Sequence, residues 1–165
     1  MNFRNLEDLK KAGFIGFKKI EELIEDSSLI PRQKGVYLIL FIGTKKPEFL
    51  NVGTGGYFKG KNPNISIDEL NANWVNKSPV VYIGKAGKAN SSVSLYSRLK
   101  QYLRFGQGFN VGHYGGRLIW QIRNSNDLIV CWKGLPSDDP RSIEKELIQM
   151  FISLYGKRPF ANLVN

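Results

Sequence analysis

Eight consecutive residues, Gly35-Val-Tyr-Leu-Ile-Leu-Phe-Ile42, carry no charge and present apolar groups on both faces of an extended chain. A strand with one solvated face alternates apolar and polar residues, whereas a strand covered on both sides reads as a continuous apolar run. This segment therefore predicts a central strand with packed layers above and below it. Val80-Val-Tyr-Ile-Gly84 is a second, shorter run of the same kind.

Helical periodicity supplies the covering layers. Residues 93–105 place Leu95, Leu99 and Leu103 four apart. Asp139-Pro140 is a helix start, an N-cap acceptor followed by a proline at the first helical position, and the pattern after it runs to Gly156 with Pro159 beyond. In the first 30 residues Leu6, Leu9, Phe14, Phe17, Ile20, Leu23 and Ile24 recur at helical spacing, interrupted near Gly13 and Gly16, which predicts two short helices ending before Pro31. Residues 118–123 (LIWQIR) and 128–132 (LIVCW), separated by Asn124-Ser-Asn-Asp127, read as a β-hairpin. Residues 43–79, rich in glycine and asparagine, read as a loop or insertion with room for one short strand. The expected fold is α+β: a small, mainly antiparallel sheet flanked by helices, with a helical extension over 1–34, a core domain over 35–165 and an added hairpin.

The chain has 165 residues and a formal net charge of +10, and its charge is unevenly spread. Residues 70–126 hold eight basic side chains and no acidic one: Lys77, Lys85, Lys88, Arg98, Lys100, Arg104, Arg117 and Arg123. Interleaved with Tyr96, Tyr102, Phe105, Phe109 and Tyr114, they describe either a solvated basic face or a polyanion footprint. On the second reading Lys88, Lys100, Arg104, His113 and Arg117 contact nucleic acid. The one cysteine, Cys131, closes no intramolecular disulfide and makes no thiolate metal site alone, which fits a reducing compartment and a cytoplasmic location. No apolar run reaches the ~18 residues of a membrane span, and the start, MNFRNLEDLKK, lacks the apolar core of a signal peptide. Membrane partners and organic cofactors are not expected.

Three groups stand out chemically. Wound as a helix, 140–155 gathers Ile143, Leu147, Ile148, Met150, Phe151 and Leu154 on one face, with Glu144 inside it. A carboxylate there is costly unless it pairs with a base or binds a cation. Arg98 and Tyr102 are i, i+4 neighbours on the preceding helix. Tyr37 and Tyr82 lie on the two apolar strands, where they are core residues or present two hydroxyls to one side. Trp74, Trp120 and Trp132 read as core. Gly55-x4-Gly60-Lys61 imitates a phosphate-binding loop but fails at Asn62, where Ser or Thr is required, and at Pro63, where a helix should begin.

Taken in order, these residues resemble the GIY-YIG endonuclease superfamily across roughly 35–165. Gly35-Val36-Tyr37 matches the first motif and Tyr82-Ile83-Gly84, followed by Lys85, the second. Arg98 with Tyr102 matches the helix motif, Glu144 to Ile148 the glutamate motif, and Pro159 to Asn162 the final one. The chain departs from the family where a short hairpin is replaced by residues 38–81 and where the spacing from Gly84 to Arg98 is long. The resemblance implies a phosphodiester hydrolase acting on DNA with Mg²⁺ or Mn²⁺ held by Glu144 as single protein ligand. It further implies Arg98 on the scissile phosphate, Lys85 and Tyr102 on the phosphate or the attacking water, and Asn162 holding the Tyr or Glu geometry. Gly35 and Gly84 would be backbone requirements. The general base stays open among Tyr37, which is favoured, Tyr82 and His113. A catalytically inactive DNA-binding module of the same fold is the alternative, and a non-nucleic-acid partner for the basic stretch is a third reading. The DNA specificity and the oligomeric state stay open.

Overall fold

The computed structural model describes residues 1–163, so the last two residues of the 35–165 unit lie outside the described part. Four antiparallel strands form one sheet in the order β1-β4-β2-β3, where β1 is Ile15–Lys19, β2 Gly35–Leu40, β3 Val80–Ala86 and β4 Ile129–Gly134. All six residues of β2 are buried, as its unbroken apolar run requires. Its period-two alternation divides the core. Tyr37 and Ile39 enter one cluster with Leu95, Leu99, Tyr102 and Leu103 of α4 (Leu95–Gly106). Val36, Leu38 and Leu40 enter another with Leu147 and Phe151 of α5 (Pro140–Tyr155) and Leu9 of α1 (Leu6–Lys11). The two long helices thus cover opposite faces of the sheet.

Local chemistry ends these helices where the sequence suggests. The Asp139 side chain accepts a 3.1 Å bond from the Ser142 amide, Pro140 occupies the first turn, and Gly156 closes α5 at φ 76°. Ser94 caps α4 by accepting from the Ser97 amide at 3.2 Å. Trp74, Trp120 and Trp132 are buried. Met150 and Leu154, expected on the buried face of α5, are instead 42% and 46% exposed, because that face is wider than the surface it covers.

Three expectations are corrected. The amino-terminal extension is not wholly helical: α1 is followed by β1, and only α2 (Ile20–Glu25) resumes the helix. Gly13, at φ +94°, turns the chain out of α1, while Gly16 takes φ +98° inside β1, where a side chain would lie 2.6 Å from the Trp132 ring. Residues 15–19 therefore complete the sheet along β4. That pairing also removes the expected hairpin. With β1 and β2 on its two edges, β4 has no edge left, and Arg117–Gln121 coils as a 3₁₀ segment whose Leu118, Ile119 and Trp120 are all buried. Residue 122 keeps a single bridge to Phe49. Finally, the insertion holds α3 (Ile67–Asn73), started by Ser66, whose hydroxyl accepts from the Glu69 amide. The Ser-x-x-Glu spacing of a capping box announces it in the sequence. No described helix is long and apolar enough to cross a membrane.

Candidate active site

β2 and β3 pair so that Tyr37 lies opposite Gly84. A methyl group at Gly84 would sit 2.4 Å from Tyr37 Cζ and 2.6 Å from its hydroxyl, so the phenol lies flat across the glycine backbone. One at Gly35 would lie 2.3 Å from the Lys133 carbonyl. Both are steric requirements, as expected. The Tyr37 and Tyr82 ring centroids are 6.0 Å apart.

His113 joins this pair from the loop after α4. It is fully buried, with Nδ1 2.8 Å from the Gly115 carbonyl and Nε2 3.3 Å from the Tyr37 hydroxyl. A carbonyl can only accept, so Nδ1 carries the hydrogen, Nε2 is bare, and the Tyr37 hydroxyl donates to it. Burial, aided by the Arg98 charge, pulls His113 down to a pKa of about 3, so it stays neutral. This corrects its expected place on the DNA-facing surface, because a buried ring cannot touch the duplex.

Tyr102 is corrected in the same way. Its hydroxyl, also fully buried, donates to the Gly116 carbonyl at 2.8 Å, and its ring lies 4.3 Å from that of His113. It supports the 113–116 loop and does not face a phosphate. Asn162 does hold the strand. Its Oδ1 accepts from the Ile83 amide at 2.9 Å, its Nδ2 donates to the Ile83 carbonyl at 2.8 Å, and the Ala161 amide donates to Val81. These bonds cap the outer edge of β3 from Val81 to Ile83, on either side of Tyr82.

Arg98 is half-buried on α4 and donates to Gln101 Oε1 at 3.1 Å. Glu144 is half-buried on α5, across the sheet. Neither belongs to an ion pair among the described residues. Although they arise from opposite layers, both charges act on the same two phenols, Tyr37 and Tyr82. Burial raises the Glu144 carboxyl, opposed by Lys85, Arg141, Arg98 and Lys145 in that order. Burial likewise raises both phenols, with Glu144 adding to the rise and Arg98 opposing it in each. Tyr82 reaches about 12, and the less exposed Tyr37 is raised well above the usual phenol range. Of the two, Tyr82 is the nearer to solvent, 8% exposed against 1% for Tyr37.

Among the described residues no group of three or more His, Cys, Asp or Glu gathers to hold a metal. A lone, unpaired, half-buried carboxylate fits a hard cation that keeps most of its waters and takes substrate oxygens as further ligands, and it fits no all-protein cage. Lys88, Lys100 and Arg104 are exposed, and Arg117 is half-buried. Three of the cations rest on aromatic rings: Lys100 5.3 Å from Tyr96, Arg104 5.0 Å from Phe109 and Arg117 3.9 Å from Tyr114. A cleft of 420 Å³ between Arg4, Lys45, Trp74 and Lys77 contains none of the site residues.

Compared with family models, curated proteins and solved structures, the chain finds no match.

Proposed function

We propose that the protein is a metal-dependent endonuclease that hydrolyses DNA phosphodiester bonds, a GIY-YIG-type enzyme by the order of its motifs. The observation that carries this reading is electrostatic. Tyr37 and Tyr82, with ring centroids 6.0 Å apart on paired strands, both lie within electrostatic reach of Arg98 and Glu144, neither of which is ion-paired among the described residues. Leaving a half-buried carboxylate without a counter-charge is costly in a structural role, whereas a divalent ion would satisfy Glu144 and a phosphodiester would meet Arg98.

Glu144 would hold Mg²⁺ or Mn²⁺, which supplies Lewis-acid stabilisation of developing charge on the phosphoryl oxygens. The cations around Glu144 lower its affinity for a metal ion alone, so ion and DNA would bind together. Arg98 presents a forked donor to the phosphate, a geometry lysine cannot copy. Lys85, the strongest cationic influence on Glu144, adds a second positive charge at the same rim. Tyr82 takes the proton from the attacking water. Tyr37, donating to His113, keeps its own proton turned inward, so its oxygen lone pairs remain available to orient that water. His113 is a positioning residue: its fixed tautomer decides where the Tyr37 proton points. Asn162 and Tyr102 hold β3 and the 113–116 loop in register with this arrangement.

The test is cleavage of plasmid DNA with Mn²⁺ or Mg²⁺. Wild-type protein nicks or cuts it, EDTA stops the reaction, and Glu144→Gln and Arg98→Ala abolish it with unfolding curves unchanged. Wild-type-like cutting by Glu144→Gln defeats the assignment. Salt-sensitive DNA binding with no cutting under any divalent ion would point to the binding module instead.

A further inference from the structure

The insertion and the loop after α4 form one structure. The Gly56 amide donates to the Phe105 carbonyl at 2.9 Å, the Lys59 amide to Asn110 Oδ1 at 3.3 Å, and the Tyr114 hydroxyl to the Asn62 carbonyl at 3.3 Å. From below, the buried Gln121 side chain accepts from the Ile65 amide and donates to the Leu50 and Ile65 carbonyls. The glycine-rich stretch that imitates a phosphate loop is therefore a packing device. Gly55 and Gly56 are buried, and a methyl group on Gly56 would lie 2.1 Å from the Phe109 carbonyl.

This platform continues the candidate active site. The Phe58 ring abuts Gly112, Gly112 abuts Gln101, and Gln101 accepts the bond from Arg98. Its outer side carries Lys59 and Lys61, both exposed and in no ion pair among the described residues, in a segment with no acid from 49 to 67. Tyr57 stands beside them 48% exposed, with its hydroxyl accepting from Asn64 Nδ2. A pinned aromatic ring with an open side beside two exposed ammonium groups, held over the Phe58 and Tyr114 rings at 5.3 and 5.7 Å, suits an unpaired nucleotide, which brings both a π-face and a phosphate. A regular duplex keeps its bases stacked and would leave the ring unused.

We infer that residues 57–61 form a shelf for the single-stranded DNA flanking the cleaved bond, with Tyr57 stacking a base and Lys59 and Lys61 holding successive phosphates. This assignment rests on the nuclease reading for the placing of the cleaved bond at Arg98.

Binding is measured by fluorescence anisotropy in EDTA, with a blunt duplex and with the same duplex carrying a single-stranded extension. Wild type should favour the extended DNA by about tenfold, the worth of one stacked base. Tyr57→Ala should erase that preference and leave blunt-duplex affinity unchanged, while Tyr57→Phe keeps it. Lys59→Gln with Lys61→Gln should reduce the slope of log affinity against log salt by about 1.4 on the extended DNA, two phosphates' worth. Equal wild-type affinity for the two DNAs, or a Tyr57→Ala variant that weakens both alike, overturns the shelf while leaving the nuclease reading in place. Failure to bind either DNA at low salt overturns both.

Discussion

The neutral state of His113 can be read as a stability measurement. Its folded pKa of about 3 lies below the ordinary 6.5, so the stability it contributes is complete above pH 6.5 and is lost as the pH falls towards 3. Between these values the unfolded chain binds a proton that the folded chain refuses. The full gap amounts to about 5 kcal/mol, and at pH 5 the loss is about 2 kcal/mol. Groups facing the ring are Tyr37 from β2 and Tyr102 and Arg98 from α4, and burial raises both phenols away from that window. Other groups, Glu144 among them, also shift stability with pH, so the informative quantity is the difference between wild type and His113→Gln. Urea unfolding followed by the fluorescence of the three buried tryptophans should show wild type losing about 2 kcal/mol more than the variant between pH 7.5 and pH 5. Parallel curves would refute the reasoning. So would a His113 ring resonance titrating near 6.5 in wild-type protein, a measurement that does not depend on the variant folding.

Gly84→Ala should destabilise by about 2 kcal/mol, because the new methyl meets Tyr37 at 2.4 Å in a packed core; chemical denaturation with wild-type stability would contradict the close approach. Asn162→Ala removes both side-chain bonds to Ile83 and should cost about 2 kcal/mol, lowering the melting temperature by about 4–8 °C and speeding amide exchange along β3. With a Tyr82 phenol raised to about 12, the ionised fraction grows tenfold per pH unit. The cleavage rate should therefore climb with unit slope from about pH 6 to about pH 9, and Tyr82→Phe should flatten that profile.

Much of the fold is local and so was legible. The boundaries of α5 follow from Asp139, Pro140 and Gly156, each of which acts on backbone groups within a few residues. The burial of β2 on both faces follows from its lack of alternation. Short apolar runs are less legible, because 118–122 and 15–19 satisfy more than one local pattern. Which of them became a strand was decided by competition for the edge of β4, across more than a hundred residues of chain.

The site divides along the same line. The residue types and their order, from Tyr37 through Tyr82, Arg98 and Glu144 to Asn162, are written in the chain, since each chemistry demands its own functional group. Sequence alone could not tell that Tyr102 and His113 turn inward, or that the insertion abuts the arginine's neighbour. A hydroxyl or an imidazole finds its partner by position in space, and the partner of His113 lies 76 residues away. Only the packed molecule, where burial makes an unmatched polar atom expensive, selects which of many distant acceptors that group takes.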